Sequence, residues 1–401
     1  MAPGSLPLFI ALWPLLGWVC HGNRVPSLQC QASSAWAAPQ APGRGGWPCW
    51  GTELSVCPSH KLLPLTSLDT NPIRGTSCIQ LSVVACGPRL QETLVMLKSS
   101  VLTMRSCVHA HIFAEDELHG AFQEELSAWP AAYKKRFAFT MYAISFPQSH
   151  TANWKQLFKP CASQRLFLPL ILQSLDAVLY VDTDILFLSP VEDLWSYFYR
   201  FNSSQLAGMA PEHEATQIGW YNRFARHPYF GKTGINSGVM LFNLTRVRQT
   251  FFKNDLSPSP LTWDDLLLPL YHKYRLNLTW GDQDLINIIF HHNSEKLYVL
   301  PCQWNFRPDH CMYGLNCATA LPLGVHVLHG NRGVYHNDKQ PAFSAVYEAI
   351  RHFPFGGDME RHLLAPLRAA LQVTEHTYCG RMPAVFTASL QRITDDFLVF
   401  D

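Results

Sequence analysis

The sequence predicts an α/β protein whose main domain is a mixed central sheet flanked by helices. Three observations carry this. From Leu81 onward, short apolar runs alternate with segments of helical period. One of those runs, Ala177-Val-Leu-Tyr-Val181, contains no charged residue and has the character of a strand covered on both faces. It ends on the acidic triplet Asp182-Thr-Asp184, and open α/β sheets bind ligands beyond the carboxyl ends of their strands. A 401-residue chain that is 48% hydrophobic and only 15% charged can bury a sizeable core. Its net charge of +1 favours neither nucleic acid nor an anionic membrane surface, so any phosphate must be bound by a local site.

The elements follow in order. Leu81-Ser-Val-Val-Ala-Cys86 is a strand ending at Gly87, and Gln91 to Leu102 has helical period. Val108 to Phe113 is a strand followed by a helix over Glu115 to Leu126, and Thr140 to Ser145 is another strand. Arg165 to Leu175 has an amphipathic helical pattern leading into the run that ends at Val181. Val239 to Leu244, Leu297 to Leu300 and Val325 to Leu328 complete the strands. One catalytic domain over 78–385 with a tail over 386–401 is the economical division.

The first 77 residues differ. Residues 1–20 are apolar over about 15 positions, nearer a signal-peptide core than a membrane span. The first basic residue, Arg24, follows the run instead of preceding it. A targeting segment, a single N-terminal anchor and an atypical first exon all fit. Residues 21–77, rich in Pro, Gly, Ser and Ala and carrying Cys30, Cys49 and Cys57, read as a stem or linker. Sequons at Asn202, Asn243 and Asn277 and a total of 12 cysteines point to an oxidising, lumenal compartment, where Cys302, Cys311, Cys317 and Cys379 could pair.

Four elements carry chemistry. Alternate residues of an extended segment point the same way, so Asp182 and Asp184 can face one cation, and such hard oxygen ligands suit Mg²⁺ or Mn²⁺. A turn-forming acidic pair is the plain alternative, and a second Asp-x-Asp lies at Asp282–Asp284. Asn236-Ser237-Gly238 offers an amide for sugar hydroxyls and a close backbone approach, or simply a turn into a strand. Gly281-Asp-Gln-Asp-Leu-Ile-Asn287 has helix-start character with Asp282 as N-cap, and its carboxylate beside Gln283 could steady positive charge on a sugar. His329-Gly330 follows the last apolar strand, where an imidazole could complete a ligand set. With 18 histidines in the chain, a structural role is its alternative.

In this order the four elements resemble glycosyltransferase family 8, the retaining, manganese-dependent group that includes glycogenin. Cys161-Ala-Ser-Gln-Arg-Leu-Phe-Leu-Pro169, Met209-Ala-Pro-Glu-His-Glu214, Ile218-Gly-Trp-Tyr-Asn-Arg-Phe-Ala-Arg-His-Pro228, Cys302-Gln-Trp-Asn-Phe-Arg-Pro-Asp-His-Cys311 and His329-Gly-Asn-Arg-Gly-Val-Tyr-His336 are similar to the glucoside xylosyltransferases within it. The resemblance covers about residues 80–385. It implies a GT-A-type, Rossmann-like fold and transfer of xylose from UDP-xylose, in α1,3 linkage, to O-linked glucose on EGF-like repeats such as those of Notch.

Carried over by position, Asp182, Asp184 and His329 would hold Mn²⁺, and Ala85, Cys86 and Gly87 would lie against the uracil. Arg165 would contact the donor, while Asn236, Ser237, Gly238, Asp282 and Gln283 would surround the xylose. The family's Lys-Pro-Trp for the diphosphate is replaced by Lys339-Gln-Pro341 further along, so Lys339, Arg332 and His336 compete for that role. The resemblance also implies a type II membrane protein of the endoplasmic reticulum or Golgi lumen, from whose usual anchor the first 77 residues depart. A family-8 enzyme with another UDP-sugar and a sugar-binding relative without catalysis are the rival readings.

Overall fold

The computed structural model describes residues 78–146, 154, 157 and 161–400. The expected targeting segment, stem and three stem cysteines lie outside these residues.

The chain opens with strand β1 (Ile79–Ala85), helix α1 (Leu90–Thr103), β2 (Val108–Ala114), α2 (Asp116–Ser127) and β3 (Phe137–Ala143). Strands β4 (Val178–Val181), β5 (Ile185–Phe187), β6 (Ala207–Pro211), β7 (Ile235–Phe242), β8 (Leu297–Val299) and β9 (Val327–His329) follow. Seven of them form one mixed sheet in the order β3-β2-β1-β4-β7-β6-β8, while β5 and β9 pair separately. β1 to β4 are mutually parallel, whereas β7 runs antiparallel to β4.

Alternation along the strands builds two apolar layers. Leu179 and Val181 face a core with Leu81, Val83 and the α1 residues Leu94, Met96 and Leu97. Val178 and Tyr180 face the opposite layer, with Met240, Phe242, Leu285, Ile286, Ile289 and Phe290. Both faces of β4 are therefore covered, which explains its unbroken apolar sequence. A third cluster joins Leu186, Phe306, Leu328, Phe343 and Phe386.

Several boundaries move. The expected helix over Arg165 to Leu175 is a 3-10 turn, Ala162–Phe167, followed by a four-residue helix, Leu168–Ile171. The expected strand at Val239 begins at Ile235, because Asn236 and Ile235 pair with Ala210 and Pro211 of β6. Asn236-Ser237-Gly238 is thus strand, not a turn before one. The expected tail is part of the domain: the helix Pro383–Phe400 crosses residue 385 and buries Phe386 and Leu390. Among the described residues no helix is long and apolar enough to cross a membrane.

All eight cysteines at described positions are paired, as Cys78–Cys107, Cys86–Cys161, Cys302–Cys317 and Cys311–Cys379. The last two use the four cysteines singled out from sequence.

Candidate active site

The parallel pairing of β1 with β4 brings Ala85 and Val181 to one edge of the sheet, and antiparallel β7 starts at that same edge. Asp182 donates its N–H to the carbonyl of Gly238 at 2.9 Å, extending this pairing by one residue. Asp182-Thr-Asp184 then crosses to β5, whose Ile185 pairs with His329 at the end of β9. Two short antiparallel strands thus place an imidazole beside two carboxylates. His329 Nε2 lies 3.3 Å from Asp184 and 4.0 Å from Asp182, and one ligand atom from each of the three falls within 4.8 Å of the others.

The donor set fits a divalent cation. His329 Nδ1 is 2.8 Å from Asn305 Oδ1, an acceptor, so the proton sits on Nδ1 and the Nε2 lone pair faces the carboxylates. The amide nitrogen of Asn305 donates to Asn236 Oδ1 at 2.8 Å, and that oxygen also accepts from Gly238 N at 3.0 Å. Gly238 is required here for room. A β-carbon on it would stand 2.4 Å from His329 Cε1 and 3.0 Å from Asp182 Oδ2. Asn305 fixes the tautomer of His329, so Asn305→Ala is expected to weaken any divalent-cation binding here about 10–100-fold in a calorimetric titration.

A second group, Cys86, Glu115 and Cys161, also clusters at ligand distance. Its two sulfurs are joined in a disulfide, so it is a tether and not a metal site.

Arg165 ties the remaining elements together. Its guanidinium is buried, 2.9 Å from Asp182 and 2.8 Å from Asp282, and donates to the carbonyl of Ser237 at 2.9 Å. It also lies over the Tyr180 ring at 4.6 Å, while the Tyr180 hydroxyl donates to Asp182 at 2.8 Å. Asp282 is fully buried, and burial pushes its carboxyl up to about 6 even though Arg165 opposes the rise.

The two carboxylates of Asp282-Gln-Asp284 part company. Gly281, not Asp282, is the N-cap of the helix Asp282–His292, and its φ of 61° is a left-handed conformation open to glycine. Asp282 turns to Arg165 in the cleft. Asp284 turns inward, accepting from the N–H groups of Thr279 and Trp280 at 2.7 Å and from the Tyr221 hydroxyl at 2.8 Å. Gln283 accepts from Ser237 N at 3.1 Å, and Asn287 accepts from Ile235 N at 2.8 Å. Both side chains lock the start of β7 against this helix.

These groups line one cleft of about 840 Å³, within the usual range for small-molecule sites. Cys86 and Gly87 lie at its β1 end; Arg165, Asp182, Asp184, Asn236, Ser237, Asp282, Gln283 and His329 also line it. Ala85 is buried just behind, and Gly238 underlies the His329 imidazole. Of the three basic candidates, Arg332 and His336 line the cleft, and Lys339, exposed on the following loop, does not. Arg332 sits at φ 64° and pairs with Asp309 at 2.7 Å, and His336 lies 3.0 Å from Glu92.

Sequence reasoning missed Asn305, Glu92, Glu212 and Trp280. Glu92 accepts from the Thr183 hydroxyl at 2.7 Å. Glu212 lines the cleft, and burial pushes its carboxyl up to about 7. Of the motif aromatics, Tyr221 and Trp304 are buried, while Trp220 lines the cleft. Among the sequons, Asn202 is exposed, while Asn243 and Asn277 are half-buried and Asn243 caps the helix Leu244–Gln249.

The sheet edge thus gathers in one cleft two aspartates and a histidine at ligand distance, beside a buried Arg–Asp pair. The profile of glycosyl transferase family 8 matches residues 82–313, and the chain belongs to that family. It is 55% identical to human glucoside xylosyltransferase 1 over 349 residues, covering 87% of this chain and 79% of that one. To mouse glucoside xylosyltransferase 2 it is 59% identical over 314 residues, or 78% and 71% of the two chains. It therefore groups with the glucoside xylosyltransferases within family 8. Its fold is similar to that of the galactosyltransferase LgtC in complex with donor and acceptor sugar analogs, with a TM-score of 0.52 and 17% identity over 68% of this chain and 95% of that one.

Proposed function

We propose that this protein is a retaining transferase that moves xylose from UDP-xylose, in α1,3 linkage, onto glucose O-linked to EGF-like repeats of Notch-type glycoproteins. Identity of 52–59% over most of the chain to proteins named glucoside xylosyltransferase carries this reading.

A cation held by Asp182, Asp184 and His329, Mn²⁺ or Mg²⁺, would neutralise the diphosphate charge as the bond to xylose stretches. The chain's own residues do the rest. Ala85, Cys86 and Gly87 take the uracil end, and Arg332 and His336 stand at the cleft wall for the phosphates. Asn236, Ser237, Gly238 and Gln283 bound the space for the xylose ring. Asp282, held by Arg165, offers negative charge to the anomeric carbon as positive charge develops there, and the glucose hydroxyl attacks from the leaving-group face.

The protein would work in the secretory lumen, where four disulfides persist and the exposed Asn202 is open to glycosylation. The type II anchor implied by the resemblance would belong to residues outside those described.

Asp282 acts ionised, and its ionised fraction is lost as pH falls through about 6. Log kcat/KM is therefore expected to fall with unit slope below that pH. Asp282→Asn should be slower by about 10²-fold and lack this limb. A wild-type profile flat down to pH 5 would remove Asp282 from this role.

Donor competition tests the whole reading. With Mn²⁺ and a glucosylated EGF-like repeat, UDP-xylose is expected to be consumed in preference to UDP-glucose and UDP-galactose. Faster turnover of either hexose donor would refute it.

A further inference from the structure

Two aromatic residues of the cleft wall, Trp220 and Trp280, have no part in the donor reading. Both are half-buried, with ring centroids 5.5 Å apart and planes at 73°. Neighbouring Phe224, 6.1 Å from Trp220 between centroids, is 52% exposed and carries the aromatic surface out of the cleft.

This surface is built into the frame of the site. Trp220 opens the short helix Trp220–Phe224, and the next residue, Tyr221, points the other way into the interior. There the Tyr221 hydroxyl donates to Asp284 and accepts from Asn287 at 3.0 Å and Gln283 at 3.3 Å. Trp280 is positioned from the same anchor, because its backbone N–H donates to Asp284. One buried carboxylate thus fixes both tryptophans, and the residue beside it, Gln283, reaches the start of β7. Rigid aromatic rings in a cleft are costly to leave half-solvated, and they match flat ligands with one apolar face.

We infer that Trp220 and Trp280 form the platform for the acceptor sugar, with the C–H face of the glucose ring lying against them. Phe224 continues the contact onto the protein that carries the sugar. Glucose with all ring substituents equatorial presents such an apolar face. The platform is continuous with the wall holding Asp282 and Gln283, so a ring seated on it lies next to the donor sugar. This inference rests on the glucoside xylosyltransferase reading for the identity of the acceptor. The placement of the platform comes from the aromatic geometry.

Steady-state kinetics with UDP-xylose and Mn²⁺, using both a glucosylated EGF-like repeat and a small aryl β-glucoside, test it. Trp220→Ala is expected to raise the KM for both acceptors about tenfold, with partial recovery in Trp220→Phe, while UDP binding titrated with Mn²⁺ stays within about twofold of wild type. Phe224→Ala, an exposed position that leaves the core intact, is expected to raise KM for the repeat more than for the small glucoside. Unchanged acceptor KM in Trp220→Ala, or an equal loss of UDP affinity, would overturn the platform. So would a Phe224→Ala effect of the same size on both acceptors. A wild-type enzyme that binds UDP with Mn²⁺ but transfers nothing from UDP-xylose to either acceptor would instead refute the parent reading.

Discussion

Replacing Asp182 and Asp184 together by alanine is expected to lower kcat/KM by about 10³-fold or more, with the fold retained. Both carboxylates face the cleft, and the strand-end hydrogen bonds of the triplet are made by backbone groups: Asp182 N to Gly238 O and Gly330 N to Asp184 O. Neither depends on the side chains. Arg165 loses one partner and keeps Asp282. Transfer rates beside circular-dichroism melting curves separate the two effects. Wild-type-like turnover in a folded double variant would sink the metal assignment.

Arg165→Met is expected to have the largest effect on stability. Arg165 and Asp282 are buried together, so removing the cation leaves a carboxylate with no charge partner in the interior, at a cost of about 3–5 kcal/mol. The size should depend on pH. Asp282 already favours its protonated form, with a folded-state value of about 6 against 3.8 for the free side chain. Its protonation therefore adds stability as pH falls below that value, and losing Arg165 pushes it higher still. Urea unfolding should show a smaller penalty at pH 5 than at pH 8. Adding Asp282→Asn to Arg165→Met should recover part of the loss, because the amide carries no charge to strand. A penalty independent of pH and of Asp282 would mean that packing, not the ion pair, holds Arg165.

What could be read from the sequence were the parts of the site on consecutive residues at strand ends. Asp182 and Asp184 follow an unbroken apolar run, and the structure brings them within 4.8 Å of His329, itself recognisable after the last strand. Asn305 was illegible because nothing in Cys302–Asn305 distinguishes it from any amide in a 3-10 turn. Only folding sets it behind His329 and Asn236. Glu92 looked like an ordinary helical glutamate until α1 packed against β5 and brought it to Thr183. The Asp282–Asp284 pair shows the opposite failure. A motif that looks like a second metal site is split by a helix start, one carboxylate serving the cleft and the other the loop before it. The strands β5 and β6 were not among those expected from the sequence. Lys339, one of three competing basic candidates, does not line the cleft and follows the turn at Arg332 and Gly333, both in left-handed conformation.

The central claim is that Asp182, Asp184 and His329 bind a cation that in turn binds the donor's diphosphate. Calorimetric titration of UDP, with and without Mn²⁺, into wild type and the Asp182→Ala/Asp184→Ala variant tests it most directly. The expected result is an affinity for UDP that rises at least about tenfold with Mn²⁺ in wild type and is indifferent to it in the variant. UDP affinity independent of Mn²⁺ in the wild-type protein would contradict the claim.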